Sequence, residues 1–275
     1  FNIMAFNPII KETEDGEVVR SIHLNPLVVE GFNADFDGDT MASHVPVTER
    51  AKDEAKRIMM PSDNLINPTN GKMIINLRHE MVLGVYYLTS HWDKPEGKGI
   101  NYTDYKKLRK DYREGNIKAR TKVSIGDMNN VTAGQAMFNY LLPKKYRNLK
   151  QVWGKSQIGQ TMRQMYADAE ADGWKNISKI QISNIMDDIK QLGFEASTRS
   201  GISISATDFK KVDNAETIFD KHVKEAQKEL GDTEEALITG WQRAEKEIEN
   251  DLKNGKILDS DNPIQMMMAS GARAN

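Results

Sequence analysis

Cysteine is missing from all 275 residues. Its absence excludes disulfides and thiolate metal sites, and it fits a cytoplasmic protein without requiring one. No run approaches the 18 or so consecutive apolar residues of a membrane span, and the first residues carry no signal-peptide pattern. A dominant charge of one sign is also missing: 38 Lys and Arg against 40 Asp and Glu leave a net −2, which argues against whole-surface attraction to nucleic acid. What remains is an ordinary soluble balance, 39% apolar and 28% charged, in a chain long enough for one large domain or two to three smaller ones. The chain opens on Phe1 rather than Met and is therefore expected to be a piece of a longer polypeptide or a processed product.

The charge is unevenly spread. Six bases (Lys144, Lys145, Arg147, Lys150, Lys155, Arg163) fall between residues 144 and 165 with no acid among them, whereas 15 acids face nine bases from Asp208 to Asp261. A basic middle and an acidic end point to a surface that meets phosphate over only part of its area, or to solvated faces of unrelated sign.

Residues 3–30 read as short strands, with Asp15-Gly16 as a hairpin signal and an extended stretch from Leu24 to Val29. A short helix is expected from about Thr48, closed by Pro61. Strand signals resume through Ile75, the run from Glu80 to Leu88 is too short to assign, and residues 90–125 read as charged loops with a small helix near Tyr102 to Tyr112. Residues 151–171 look helical, with Ile158, Met162, Met165 and Ala169 on one face. A second helix from Asn176 is expected to stop at Gly193. Between Asp213 and Asn254, stripes of Ile218, Val223, Ala226 and Leu230, then of Leu237, Trp241, Ala244, Ile248 and Leu252, predict an antiparallel helical hairpin. Its turn lies at Gly231, Asp232 with Glu235 caps its second helix, and Trp241 and the leucines sit in its core.

The most informative segment is Asn33-Ala34-Asp35-Phe36-Asp37-Gly38-Asp39. Three carboxylates alternate over five positions, and Gly38 can take a backbone angle that lets the loop curl and aim them at one point. Carboxylates held that close repel unless a hard cation lies among them, and an all-oxygen set suits Mg²⁺. An Asp/Gly cluster is also often a plain solvated turn. A calcium loop fits poorly, since Thr40 stands at its glycine position and Pro46 at its glutamate position. An aspartyl phosphohydrolase signature is a nearer miss, with Asp39 where a Thr belongs. Asp35, Asp37 and Asp39 are better suited to gripping metal than to forming a phosphoenzyme.

The flanks carry a resemblance. His23-Leu24-Asn25-Pro26-Leu27-Val28-Val29 precedes the heptad, and Met41-Ala42-Ser43-His44-Val45-Pro46 follows. Then come Asn64-Leu65-Ile66-Asn67-Pro68-Thr69-Asn70-Gly71, Val82-Leu83-Gly84-Val85-Tyr86-Tyr87-Leu88-Thr89, Gly193-Phe194, Ser200-Gly201-Ile202-Ser203-Ile204, Asn262-Pro263-Ile264 and Ser270-Gly271-Ala272-Arg273. In this order the series resembles the largest catalytic (β′-type) subunit of multisubunit DNA-directed RNA polymerases, across nearly the whole chain.

The resemblance implies an α+β fold: a double-ψ β-barrel active-site region over 1–85, a pore-like mixed segment over 86–205, a rim-helix hairpin over 206–260, and 261–275 leading toward the bridge helix. It implies nucleotidyl transfer from NTPs to an RNA 3′ end with two Mg²⁺ ions, one held stably by Asp35, Asp37 and Asp39. It places Asn33 near the ribose, with a loop Asn bonding its own backbone as the alternative, and makes Arg273 a candidate for the triphosphate, with a structural ion pair as the alternative. The family commonly reads Asp-Ser-Gly-Ala-Arg-Gly-Ser there, whereas this chain has Ala269 before the serine and Ala274-Asn275 after the arginine. His44 is expected to be structural, because two-metal transfer needs no protein base. The implied partners are a β-type subunit, the remaining β′ portions, template DNA, the RNA transcript, NTPs and secondary-channel regulators, with no membrane, in the cytoplasm of a bacterial cell or phage-infected host. Alone, the chain is not expected to polymerise. Two further readings stay open: a Mg²⁺-dependent phosphohydrolase built on Asp35 and Asp37, and a non-catalytic interaction module using the acidic hairpin.

Overall fold

From Met4 to the acidic heptad the backbone is largely irregular, and the reasons are local. The computed structural model describes residues 4–10, 12–67, 69–91, 93–210, 212, 214–253 and 259–273; Phe1, Pro68, Asp213, Asn254, Ala274 and Asn275, named above, lie outside them. The Asp15-Gly16 signal yields a tight turn and one antiparallel bridge, Glu12 with Val18. The extended stretch expected from Leu24 to Val29 is helical instead. Asn25 Oδ1 accepts from the Leu27 N–H at 3.1 Å, Pro26 opens a 3₁₀ turn, and the chain runs on into the single turn α1 (Val29–Phe32). An Asn-Pro pair is a helix-start signal, and here it outweighs the β-branched residues after it. Helix α2 (Glu49–Ile58) starts where expected, with Thr48 Oγ1 accepting from the Ala51 N–H. Among the described residues the sheet strands begin only at Glu96. The earlier strand signals leave one more bridge, Ile66 with Met73.

The core is built around α3 (His79–Thr89), the short run that the sequence left unassigned. Met81, Val82, Leu83, Val85 and Leu88 are all buried, because a helix apolar on every side must be enclosed. Strand β1 (Glu96–Tyr102) follows, then α4 (Tyr105–Glu114), β2 (Thr121–Ile125), β3 (Met128–Thr132) and α5 (Ala133–Leu141). The sheet order is β1-β2-β3, with β1 parallel to β2 and β2 antiparallel to β3, in register at Ile100 with Val123 and Val123 with Val131. The reading of 90–125 as loops missed β1 because Gly97 and Gly99 dilute its pattern and nearly all of it is exposed.

Helix α6 (Lys155–Ala171) buries Ile158, Met162, Met165 and Ala169, the face that the spacing predicts. The next helix, α7 (Lys179–Ser200), does not stop at Gly193. It runs to Ser200, and Gly201, at φ +64, takes the left-handed cap. Gly193 instead lies where α7 crosses α3. A Cβ on Gly193 would come 2.9 Å from the Met81 carbonyl carbon, and one on Gly84 would come 2.8 Å from both the Gly193 carbonyl carbon and the Ser197 nitrogen. These glycines set the distance between the two helices. Gly134 does the same for α5, where a Cβ would come 2.7 Å from the Leu88 carbonyl carbon.

Helices α8 (Ala215–Leu230) and α9 (Glu234–Lys253) pack side by side, and α10 (Pro263–Ser270) rests on α3. Gly240 meets Val223 at backbone distance, and Ala226, Ala236 and Ala244 are fully buried along this seam. Small residues bring the helices together, so Trp241 is pushed to the edge. It is 59% exposed, leaning on Phe219 with ring centroids 4.5 Å apart, and is not the core residue expected. The expectation fails for Leu230 and Leu237 too, both of which are exposed. The cap of α9 also differs: Thr233 Oγ1 accepts from the Ala236 N–H, while Asp232 accepts from the Gln227 side chain. Among the described residues the chain is mixed α+β with one small three-stranded sheet.

Candidate metal centre

The acidic loop begins where α1 ends. Asn33 adopts a left-handed conformation, φ +47, and its N–H donates to the Glu30 carbonyl at 3.2 Å while the Ala34 N–H donates to Val29 O at 3.1 Å. This cap turns the chain sharply out of the helix. The loop then folds on itself. The Asp35 N–H donates to Asp39 Oδ2 at 3.0 Å and the Asp37 N–H to Asp35 Oδ1 at 3.1 Å, and Gly38, at φ +129, makes the bend that most side chains would resist. Asp35, Asp37 and Asp39 thus each offer a carboxylate oxygen within 4.8 Å of the others, and all three are exposed.

So close a set perturbs its own ionisation. Asp35 is held below the ordinary carboxylate range, chiefly by its hydrogen bond with Asp37. Asp37 is pushed up, first by that same bond and then by the charges of Asp35 and Asp39. The pair holds a proton more readily than two separate aspartates would. A cation could take the proton's place. Mg²⁺ bonds oxygen at about 2.1 Å in octahedral geometry, so adjacent ligands stand about 3 Å apart and opposed ones about 4.2 Å, and the loop would draw its three oxygens closer to hold one.

The other sequence-predicted residues are more dispersed in role. Asn33 is exposed at the entry to the loop. Arg273 pairs with Glu80 of α3 at 3.4 Å, and none of its polar contacts among the described residues is to the acidic loop. His44 is exposed, on irregular backbone. Half of the basic stretch is neutralised: Lys144 and Arg147 pair with Asp127, and Lys145 with Asp168, whose carboxyl is pulled down to about 2, chiefly by the Lys145 hydrogen bond.

Sequence reasoning missed the groups that tie the loop's base to the core. Asn25 donates to Asp187 of α7 at 2.9 Å and accepts from Lys190 at 3.2 Å. Glu30 accepts from Asn76 at 2.9 Å and from Arg78 Nε at 3.2 Å, and its other oxygen pairs with Arg78 Nη2 at 2.9 Å. Asn25 lay within the motif preceding the heptad. Nothing local marks Glu30.

Comparison with known proteins identifies a family. The family model described as RNA polymerase Rpb1, domain 2, matches residues 1–61, and that for RNA polymerase Rpb1, domain 3, matches residues 64–209, more than half the chain. The DNA-directed RNA polymerase subunit beta' of Thermobifida fusca is 29% identical over 305 residues, covering 99% of this chain and 22% of the relative. Those of Desulforamulus reducens and Geobacillus kaustophilus are each 30% identical, over 285 and 323 residues, with 99% of this chain covered and 23% and 26% of the relatives. The chain therefore spans about a quarter of the length of these relatives. With one domain model following the other along the chain, and the acidic heptad inside the first, the chain belongs to the RNA polymerase Rpb1 family.

Proposed function

We propose that this chain is part of the catalytic subunit of a DNA-directed RNA polymerase, with Asp35, Asp37 and Asp39 holding the divalent cation for nucleotidyl transfer. The observation that carries the reading is the convergence of three carboxylates on one exposed loop in a chain of the Rpb1 family. A bound Mg²⁺ supplies charge neutralisation at the reacting phosphate and a more nucleophilic RNA 3′-hydroxyl. The protein's own part is to present the oxygens. Gly38 and the two N–H bonds inside the loop set their spacing, and the lowered Asp35 keeps one of them ionised. Exposure of the loop suits a site that an RNA end and an NTP must reach. On this reading Asn33 contacts the ribose and Arg273 the triphosphate.

The finer architecture belongs to the same proposal. Residues 1–85 contribute to a double-ψ β-barrel, 86–205 form the pore-like segment, α8 and α9 of 206–260 are rim helices, and 261–275 lead toward the bridge helix. The barrel reading is supported by bare apolar side chains early in the chain, among them Ile9, Ile10, Val45 and Val47, which are placed to be covered by further strands. The partners are a β-type subunit, the remaining β′ portions, DNA, RNA and NTPs, with regulators reaching the rim helices, in the cytoplasm of a bacterial or phage-infected cell. Among the described residues no helix is long and apolar enough to cross a membrane. The test is reconstitution with the remaining polymerase subunits. Asp37→Ala should abolish RNA synthesis while assembly persists, and synthesis that survives the substitution overturns the metal assignment.

A further inference from the structure

The acidic loop has little to hold it. Helix α1, from which it springs, contains no buried residue, and the loop's own hydrogen bonds are internal. The buried residues next to α1 are Leu27 and Val28, one turn earlier. Between that anchor and Asp35 the side chain with long-range polar contacts is Glu30, whose two oxygens are gripped by Arg78 in a fork and by Asn76. Asn76 is fixed in turn: its side chain also donates to Met73 O at 2.9 Å, and its backbone N–H to Leu27 O at 3.3 Å. The Glu30 carbonyl then receives the Asn33 N–H that starts the loop. A bidentate arginine fork fixes orientation as well as distance.

We propose that Glu30, clamped by Arg78 and Asn76, is a positioning residue that fixes the base of the acidic loop and so sets the affinity of Asp35, Asp37 and Asp39 for a divalent cation. The proposal rests on the metal-binding reading of the loop. It separates cleanly from a simple field effect. Removing the positive Arg78 would by charge alone favour cation binding, whereas loss of the clamp lets the three oxygens drift apart and weakens it. The Glu30–Arg78 pair is more than a third exposed on both sides, so its removal should leave the fold standing.

The test is Mn²⁺ binding by the full 275-residue chain, read by the electron paramagnetic resonance of free Mn²⁺, with thermal unfolding in parallel. Groups outside the ligand shell typically change metal affinity by about 10–100-fold. Acting through one helical turn, Arg78→Ala and Glu30→Ala should each weaken Mn²⁺ by about fivefold. Glu30→Gln keeps one acceptor but loses the second arm of the fork, and should weaken Mn²⁺ by about two- to threefold, less than the alanine variants. The double reversal Glu30→Arg with Arg78→Glu rebuilds the pair and should restore affinity; if either alanine variant fails to fold, this double variant decides. Arg78→Ala binding as tightly as the parent or tighter, while Asp37→Ala loses Mn²⁺, overturns the clamp and leaves the metal reading intact. Mn²⁺ binding that is absent, or indifferent to Asp37→Ala, overturns both.

Discussion

Replacing Gly84 by alanine tests the crossing of α3 and α7 most directly. The new Cβ would come 2.8 Å from the Gly193 carbonyl carbon and the Ser197 nitrogen, both backbone atoms that cannot swing aside. Relief to ordinary contact requires the helices to part by about an ångström, and close-packed interiors do not absorb that without loss. The parting would loosen Val82, Val85 and Leu88 on one side and Ile189, Leu192 and Ala196 on the other, all essentially fully buried. Overpacking of this kind costs about 1–3 kcal/mol and sometimes more. A backbone collision with no flexible neighbour belongs at the top of that range. Alanine's better helix propensity returns about 1 kcal/mol, so the net loss should be about 2 kcal/mol. In a chain of this size, with about 2–4 °C per kcal/mol, the melting temperature should fall by about 4–8 °C. Circular dichroism melts read this directly, with Gly159→Ala as the control. Gly159 lies in α6, and its Cβ would meet only the far end of Arg163 at 3.7 Å, so that variant should gain up to about 1 kcal/mol. A Gly84→Ala melt within a degree or two of the parent refutes the close-approach argument.

Other outcomes follow from the site and its surroundings. Because Asp37 ionises above the ordinary aspartate range, Mn²⁺ competes with a proton at the site, and Mn²⁺ affinity measured across acidic pH should fall as pH drops through that ionisation. Glu195 of α7, only 11% exposed, pairs with Arg109 of α4, so Glu195→Ala strands a buried guanidinium and should cost about 3 kcal/mol in urea unfolding. Replacing Gly231-Asp232-Thr233 between α8 and α9 should leave basal RNA synthesis in a reconstituted enzyme nearly intact while weakening any factor that docks on these helices. Abolished synthesis by a folded, assembled variant would place the segment in the chemistry.

The acidic loop was legible because its information is local: carboxylate spacing and one glycine are enough to draw Asp35, Asp37 and Asp39 together. Helices α2, α6 and α8 were legible for a similar reason, from caps and stripes only a few residues apart. Gly193 and Trp241 misled because each has two local meanings. A glycine after an apolar stripe stops a helix unless another backbone presses on it, and Met81 lies 112 residues earlier in the chain. A tryptophan in a helical stripe is core unless smaller neighbours bring the helices too close to admit it, as Gly240, Ala236 and Ala244 do. The supports of the site were the least legible, since Glu30 meets Asn76 and Arg78 across 46 and 48 residues, and Asn25 meets Asp187 across 162.

The early part of the chain has a bearing on how the molecule fares in a cell. Ile9, Ile10, Val45 and Val47 are 77–89% exposed, with Phe36 and Ile22 also well exposed. Bare β-branched residues on irregular backbone are what chaperones and proteases sample, and they favour self-association at high concentration. In the assembly proposed above, further strands cover these residues, so a copy left without them keeps an aggregation-prone surface that an assembled copy does not.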